Sequence, residues 1–326
     1  MALSQSGRNT SGKGIANFLN SLKLGIFLAI RQVKRSSLGT TLLIIFVMTL
    51  TFLNLVVIRG ILVGLIQSSI NVYRERYIGD VIISTPIKKN YIENSPAIIQ
   101  VVKNLPWTQS YTARYLSGGL VEGTYKERIS YTEKANEATP QFAGINPAME
   151  DEVTHLSDKV IDGRYLTPED TESIMIGANL LKKYLPIESP GLKTLANVDV
   201  GSRVRITVNG NTREMTIKGI IKSKVGELDQ RVFMLDSTLR TLTGRTDFNV
   251  DEIAIRLKPG ADPIVVKNAL IQSGAGETGR VQTYDEGLPK FVKDMRDTFA
   301  LLGDVIGSIG LVVASITIFI VIYINA

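Results

Sequence analysis

The chemistry open to this chain is bounded first by what it lacks. It has no Cys and a single histidine, His155, so disulfides, thiolate metal sites and histidine dyads are excluded. His155 itself is expected on a solvated helix face. Gly7–Gly14 (GRNTSGKG) nearly reproduces the phosphate-binding pattern G-x-x-x-x-G-K-[ST]. That loop needs a strand before it, a helix after it and a final hydroxyl to hold Mg²⁺. No strand pattern precedes it, and Gly14 stands where the hydroxyl belongs, so this chain is not expected to bind ATP. Glu150, Asp151 and Glu152, and again Glu169, Asp170 and Glu172, fall in runs near helix starts. Such runs read as surface charge rather than a facing carboxylate pair. The residues therefore imply no catalytic group, no cofactor and no metal site, and the chain is read as a non-enzyme.

Two ionisable residues sit inside apolar runs, where a charge is a functional candidate. Arg59 lies roughly 25 Å along a helix from Leu42, and Asp304 falls three residues into a second apolar run that starts at Leu301. Either each snorkels separately to an interface, or Arg59 and Asp304 pair and lock two helices together.

The elements that would place them follow from the apolar pattern. Leu38–Ile70 contains Leu42–Ile58, 17 residues without a charge. The whole segment is about 50 Å as a helix against about 30 Å of bilayer hydrocarbon, so a stalk is expected to project from a first span. It is too long for a signal-peptide core. Leu301–Ile324, 24 residues, is long enough for a second span. Ile15–Val33 reads as a basic amphipathic helix lying along the interface, and residues 1–14 as a polar tail. Residues 1–74 hold eight basic residues and no acid, six of the eight before the first span. The rest of the chain is near neutral, which argues against a nucleic-acid-binding face. The Lys/Arg bias puts the N-terminus in the cytoplasm and residues of about 75–287 outside. On that side the Asn9-Thr10-Ser11 glycosylation pattern is not usable. The chain stops just after the second run with no basic flank, which suggests the N-terminal piece of a longer polytopic protein.

Between the spans an ordered α+β domain is expected: split β-α-β halves, 78–135 plus 246–284, with a β-rich insert at 140–245. Gly79–Thr85 reads as a strand, Ser95–Lys103 as a helix with Ser95 as N-cap, and Thr108–Thr132 as strands turning at Gly118-Gly119. Ile174–Gly177 reads as a strand leading into a helix Ala178–Leu185. Asn209-Gly210 between Arg203–Val208 and Glu214–Ile220 is a two-residue hairpin signal. Asp236 and Asp262 are expected to cap helices, the second running to Ser273. Asp251–Leu257 and Arg280–Tyr284 read as strands. Beyond Asp285 the chain turns helical. Leu288, Val292, Met295, Phe299 and Leu302 repeat at 4, 3, 4, 3, as do Ile58, Leu62, Leu65, Ser69 and Val72. These seams predict a two-helix stalk running through 38–77 and 285–326.

The layout resembles the ABC-transporter permeases of the MacB/LolC/LolE/FtsX type over roughly residues 20–326. The resemblance is carried by AIRQVKRS (Ala29–Ser36), Gly144-Ile145-Asn146-Pro147, Ile161–Leu185, VGSRVRI (Val200–Ile206), Ile217–Met234 and VQTYDE (Val281–Glu286). It implies a bacterial inner-membrane permease with a MacB-like periplasmic core domain and no substrate channel. Its partners would be a cytoplasmic ABC ATPase and a second permease in a homo- or heterodimer. A periplasmic or lipoprotein substrate could follow, with Pro186–Asn197 as a candidate interaction loop. ATP-driven motion would pass through the stalk to the outer domain for export, lipoprotein release or control of cell-wall hydrolases. A two-span sensor with an extracytoplasmic ligand-binding domain, or a membrane-anchored scaffold, would satisfy the same spans.

Overall fold

The computed structural model describes residues 23–25, 27, 31, 38–127, 135–186 and 193–325 of the 326-residue chain. The Gly7–Gly14 segment, the glycosylation pattern, most of Ile15–Val33 and residues 187–192 of the Pro186–Asn197 loop lie outside the described residues. The chain divides into two compact units, Met1–Ile66 with Asp294–Ala326, and Gln67–Lys293.

The first unit is helical. Helix α1 (Leu38–Tyr73) contributes its residues up to Ile66, and a helix of equal length (Lys290–Asn325) contributes its residues from Asp294. Among the described residues one stretch, Lys290–Ile320, is long and apolar enough to cross a membrane, with a mean hydropathy of 2.1. Phe46, Phe52, Leu311 and Phe319 are exposed in this unit. Such a density of exposed apolar side chains suits lipid or other helices rather than water.

The second unit carries the sheet. A π-helical turn, Arg74–Ile78, follows α1 and leads into β1 (Val81–Ser84), α2 (Ser95–Asn104) and β2 (Thr108–Glu122). Then come β3 (Glu137–Ala138), β4 (Gln141–Ile145), α3 (Pro147–Thr154), β5 (Val160–Gly163) and β6 (Ser173–Gly177). They are followed by β7 (Arg203–Val208), β8 (Asn211–Ile221), β9 (Arg231–Leu235) and α4 (Asp236–Thr243). The unit closes with β10 (Glu252–Leu257), α5 (Pro263–Leu270), β11 (Arg280–Thr283) and the first turn of α6, the helix Lys290–Asn325.

Two lobes share one strand. In the first, β11-β1-β10 and the front half of β2 form an antiparallel sheet. Val81, Ile83, Ile253 and Ile255 pack there with Ile98 and Val102 of α2 and Val266 and Leu270 of α5. In the second, the rear half of β2 pairs with β4 and β7, and the chain of pairings β4-β9-β6-β8-β7 returns to β2. Each strand of that ring has two partners within it, β8 pairing with β7 over Asn211–Thr216 and with β6 over Thr216–Ile221. Its interior is filled by Phe142, Ile176, Val204, Ile206, Met215, Ile217 and Val232, all fully buried or nearly so.

The local signals hold where the chemistry is local. Asn209 (φ 49°) and Gly210 (φ 80°) join Val208 to Asn211 in the two-residue turn expected of Asn-Gly. Asp262 caps α5 by accepting the Ile264 N–H at 2.8 Å. Elsewhere tertiary packing overrides the reading. Gly118-Gly119 is not a turn but the middle of the 15-residue β2. A Cβ on Gly119 would come within 2.6 Å of both the Thr207 carbonyl and the Phe142 ring, so the glycine serves a close strand approach. Ser95 is not the N-cap of α2, which is Asn94; its hydroxyl instead accepts the Val250 N–H at 3.1 Å. Asp236 does not cap α4 but pairs with Arg240 at 2.9 Å. The helix expected at Ala178–Leu185 is only a 3₁₀ turn, Ala178–Leu180, after which Leu181 bridges to Leu195. On α1 the expected seam positions Leu62, Ser69 and Val72 are partly covered and Leu65 is exposed, with Ile66, Ile70 and Tyr73 covered beside them.

Gly119→Ala is expected to destabilise the chain by about 1–3 kcal/mol through overpacking. Gly118→Ala, which meets nothing within 4 Å, is expected to change stability by less than about 1 kcal/mol. Chemical unfolding of the two variants in detergent checks the contrast.

Candidate functional site

Within the second unit, the end of α1 and its π turn form an arm held by a series of anchors. The Tyr73 hydroxyl donates to Glu227 Oε2 at 2.9 Å. Arg74 pairs with the buried Asp80 at 2.6 Å and lies 4.6 Å from the Tyr284 ring centroid. Asp80 in turn accepts the Leu257 N–H at 2.8 Å, beyond the end of β1. Arg76 donates to the Ser223 carbonyl, and Arg256 donates to the Glu75 carbonyl at 3.0 Å. A π turn widens the backbone by one residue per turn; here each of Arg74–Tyr77 finds a separate partner.

Tyr77 is the innermost anchor. Its hydroxyl donates to Glu252 Oε1 at 2.6 Å and accepts from Arg231 Nη2 at 3.0 Å. Both the Arg114 and the Arg231 guanidinium lie 5.0 Å from its ring centroid. Arg114, on β2, holds Glu150 in a side-on pair, with Nη2 to Oε1 at 2.7 Å and Nε to Oε2 at 2.9 Å. It also reaches Glu252 Oε2 at 3.1 Å and the Tyr77 carbonyl at 2.9 Å. Arg231, opening β9, pairs with Glu252 Oε1 at 3.0 Å and donates to Gln141 at 2.8 Å. Thr112 and Thr154 donate to the Glu150 oxygens at 2.9 and 3.1 Å. Arg114 and Glu150 have no exposed area, and Arg231 and Glu252 almost none.

Charges taken out of water in this way are tolerable only when paired and hydrogen-bonded throughout. Burial pushes the Glu252 carboxyl up, but the Arg231 and Arg114 charges outweigh it and leave it at about 2. Burial lowers the tendency of both arginines to stay charged, and the glutamates more than reverse it. Burial also raises the Tyr77 hydroxyl, which therefore remains a donor. Gln141 and Arg231, at the edge of this arrangement, also line a cavity of about 220 Å³. One aromatic ring of the arm is clasped by arginines from the strand the lobes share and from the barrel.

None of these residues stood out as a candidate in the sequence. Glu150, expected on the surface within an acidic run, is fully buried; the helix it begins packs over β2, where Arg114 takes it up. A usable signal was a charge at an inward position of an alternating strand, as Arg114 and Glu252 are. His155 is exposed, in left-handed conformation (φ 50°) at the end of α3. No group of metal-ligating residues occurs among the described residues. Of the Arg59–Asp304 pair, the Arg59 side chain lies outside the described residues. Asp304 is exposed and lines a cleft of about 840 Å³ in the helical unit, with Met48, Thr51 and Phe52 on α1 and Gly307 and Leu311 on α6.

The domain is thus an α/β lobe and a ring of paired strands that share β2, with an anchored helical arm. The chain belongs to the MacB-like periplasmic core domain family, which matches residues 37–273. That family is a non-catalytic part of ABC-transporter permeases, so the general role of the chain is that of a permease served by an ATPase partner. Solved structures similar to it include the periplasmic region of MacB from Actinobacillus actinomycetemcomitans, 15% identical over 65% of this chain and 92% of that one, with a TM-score of 0.46. The extracellular domain of the noncanonic ABC-type transporter YknZ from Gram-positive bacteria is 17% identical over 63% and 99%, with a TM-score of 0.39. A domain of a putative permease from Porphyromonas gingivalis is 16% identical over 67% and 95%, also at 0.39. No curated protein matches the sequence.

The Glu252 carboxyl sets an acid dependence. Its folded value, about 2, lies below the ordinary 4.5. Its stabilisation is therefore complete above about pH 4.5 and is lost as pH falls toward 2. In acid titrations of unfolding, Glu252→Gln is expected to lower stability at pH 7 and to flatten the slope between those limits.

Proposed function

We propose that the chain transmits ATPase-driven motion from the membrane to its extracytoplasmic domain, in the service of export or lipoprotein release. The observation that supports this is the Tyr77 joint: the arm leaving α1 is bound to residues of both lobes through buried, charge-assisted contacts. Such contacts hold direction as well as position, because guanidinium–carboxylate pairs lose strength quickly when misaligned.

In this reading two helices cross the bacterial inner membrane, the first within Leu38–Ile70 and the second within Leu301–Ile324. The N-terminus is cytoplasmic and residues of about 75–287 face outward. The outward domain comprises 78–135 with 246–284, and the insert 140–245. The chain works as a dimer with a second permease on a separate cytoplasmic ATPase, and its outer domain meets a periplasmic or lipoprotein partner. Arg59 and Asp304 pair near the outer interface and lock the two helices together.

Two measurements test the reading. In the reconstituted transporter, Tyr77→Ala is expected to keep ATP hydrolysis within about threefold while transport falls by more than about tenfold, the pattern of a lost coupling contact. Transport falling only in step with hydrolysis would sink the transmission role. For the helix lock, Arg59→Asp and Asp304→Arg are each expected to abolish transport and the double swap to restore it. Additive losses would show that the two charges act separately.

A further inference from the structure

Strand β2 passes from one lobe to the other across a single peptide. Arg114 makes the last of its side-by-side pairings with the β10 residues, opposite Glu252, and Tyr115 makes the first with β4, opposite Gly144. One continuous strand between two separate cores is a natural flexure. Successive strand side chains point to opposite faces, so the Tyr77 joint acts on the Arg114 face alone.

The Tyr115 face carries a second cluster that the joint does not use. The Arg245 guanidinium lies 4.6 Å from the Tyr115 ring centroid and 4.4 Å from that of Tyr91. Tyr115 belongs to the barrel core. Tyr91 precedes Ile92, which is buried in the core of the first lobe and bridges to Val250. Arg245 is thus wedged between one ring from each lobe. It is held in that position: its Nε and Nη2 donate to the two Asp247 oxygens at 2.8 and 2.6 Å. Arg240, 4.9 Å from the Tyr115 ring, fixes the same turn by donating to the Asp247 and Asn249 carbonyls at 2.6 and 3.1 Å. The Tyr115 hydroxyl is tied to Thr243 Oγ1 at 3.0 Å. The buried Asp251 straddles the crossing peptide itself, accepting the Leu116 N–H at 2.7 Å while its own N–H donates to the Arg114 carbonyl at 2.9 Å.

We propose that Arg245, wedged between Tyr91 and Tyr115, clamps the β2 crossing so that the two lobes turn as one lever. The proposal rests on the motion-transmission reading for its purpose, but not for its test. A flat guanidinium between two rings resists opening and twisting alike, whereas an ammonium would hold one ring at a time.

The absence of cysteine allows clean labelling. Asn268→Cys on α5 and Glu169→Cys in the second lobe are both exposed positions. Spin labels there, in the full chain in nanodiscs, report the inter-lobe distance distribution by double electron–electron resonance. The labelled parent is expected to give one narrow distribution, and Arg245→Met one about twice as wide, with Arg245→Lys between them. Tyr91→Leu removes the wedge from the other lobe and leaves the Arg245–Asp247 turn intact. It is expected to broaden the distribution as well, and it decides the matter if Arg245→Met fails to fold. A width unchanged in folded Arg245→Met or Tyr91→Leu overturns the clamp. The distance measurement needs no ATPase, so a broadened distribution with transport unimpaired would keep the clamp and count against the transmission reading instead.

Discussion

Two arginines and two glutamates share a nearly dry space around the Tyr77 ring, and the rest of the outer domain is arranged to make that tolerable. The cost of stripping water from ions of this size is several kcal/mol each, and mutual attraction repays it only with full pairing. Glu150 therefore needs Thr112 and Thr154 as well as Arg114, and Glu252 needs Arg231 and Tyr77 as well as Arg114. These residues come from five elements: β2, α3, β9, β10 and the arm. A packed apolar joint of the same volume could be as stable, but it would tolerate sliding. An ion-pair joint has one good geometry, and removing any member strands a buried charge.

That requirement fits the way the two lobes are built. The barrel closes through β7, which pairs with both β2 and β8. The first lobe is an open antiparallel sheet covered on one face by α2 and α5. Only β2 belongs to both, and Arg114 sits at its crossing. Tyr77 therefore contacts β2 at the residue where its pairing passes from one core to the other.

The legibility of the chain divides along the range of the interactions. Asn209-Gly210 is a turn because two positive φ angles are cheap there, and Asp262-Pro263 starts a helix because the cap and the fixed φ act within three residues. Gly118-Gly119 misleads for the opposite reason: the same lack of a side chain that permits a turn also permits a close approach, and Phe142 and Thr207, distant in sequence, choose the second. Ser95 and Asp236 have capping chemistry but are claimed by Val250 and Arg240. Glu150 follows Asn146-Pro147 in a helix start that was readable, yet an acidic side chain there is normally solvated. Nothing near it in the sequence announces the arginine on β2 that draws it inward.

What the amino-acid sequence determined by itself is the set of properties that depend on composition and period: two long apolar runs, an alternating α/β stretch between them, no thiol, and a single histidine that excludes paired-imidazole chemistry. The tertiary structure alone decided the closure of the barrel, the passage of β2 through both lobes and the burial of four charges around Tyr77. Those features depend on pairings between residues up to 175 positions apart, as for Tyr77 and Glu252. A periodic signal reports which face of an element is apolar. It does not report which distant element will cover that face, and a charge is paid for only once that element is in place.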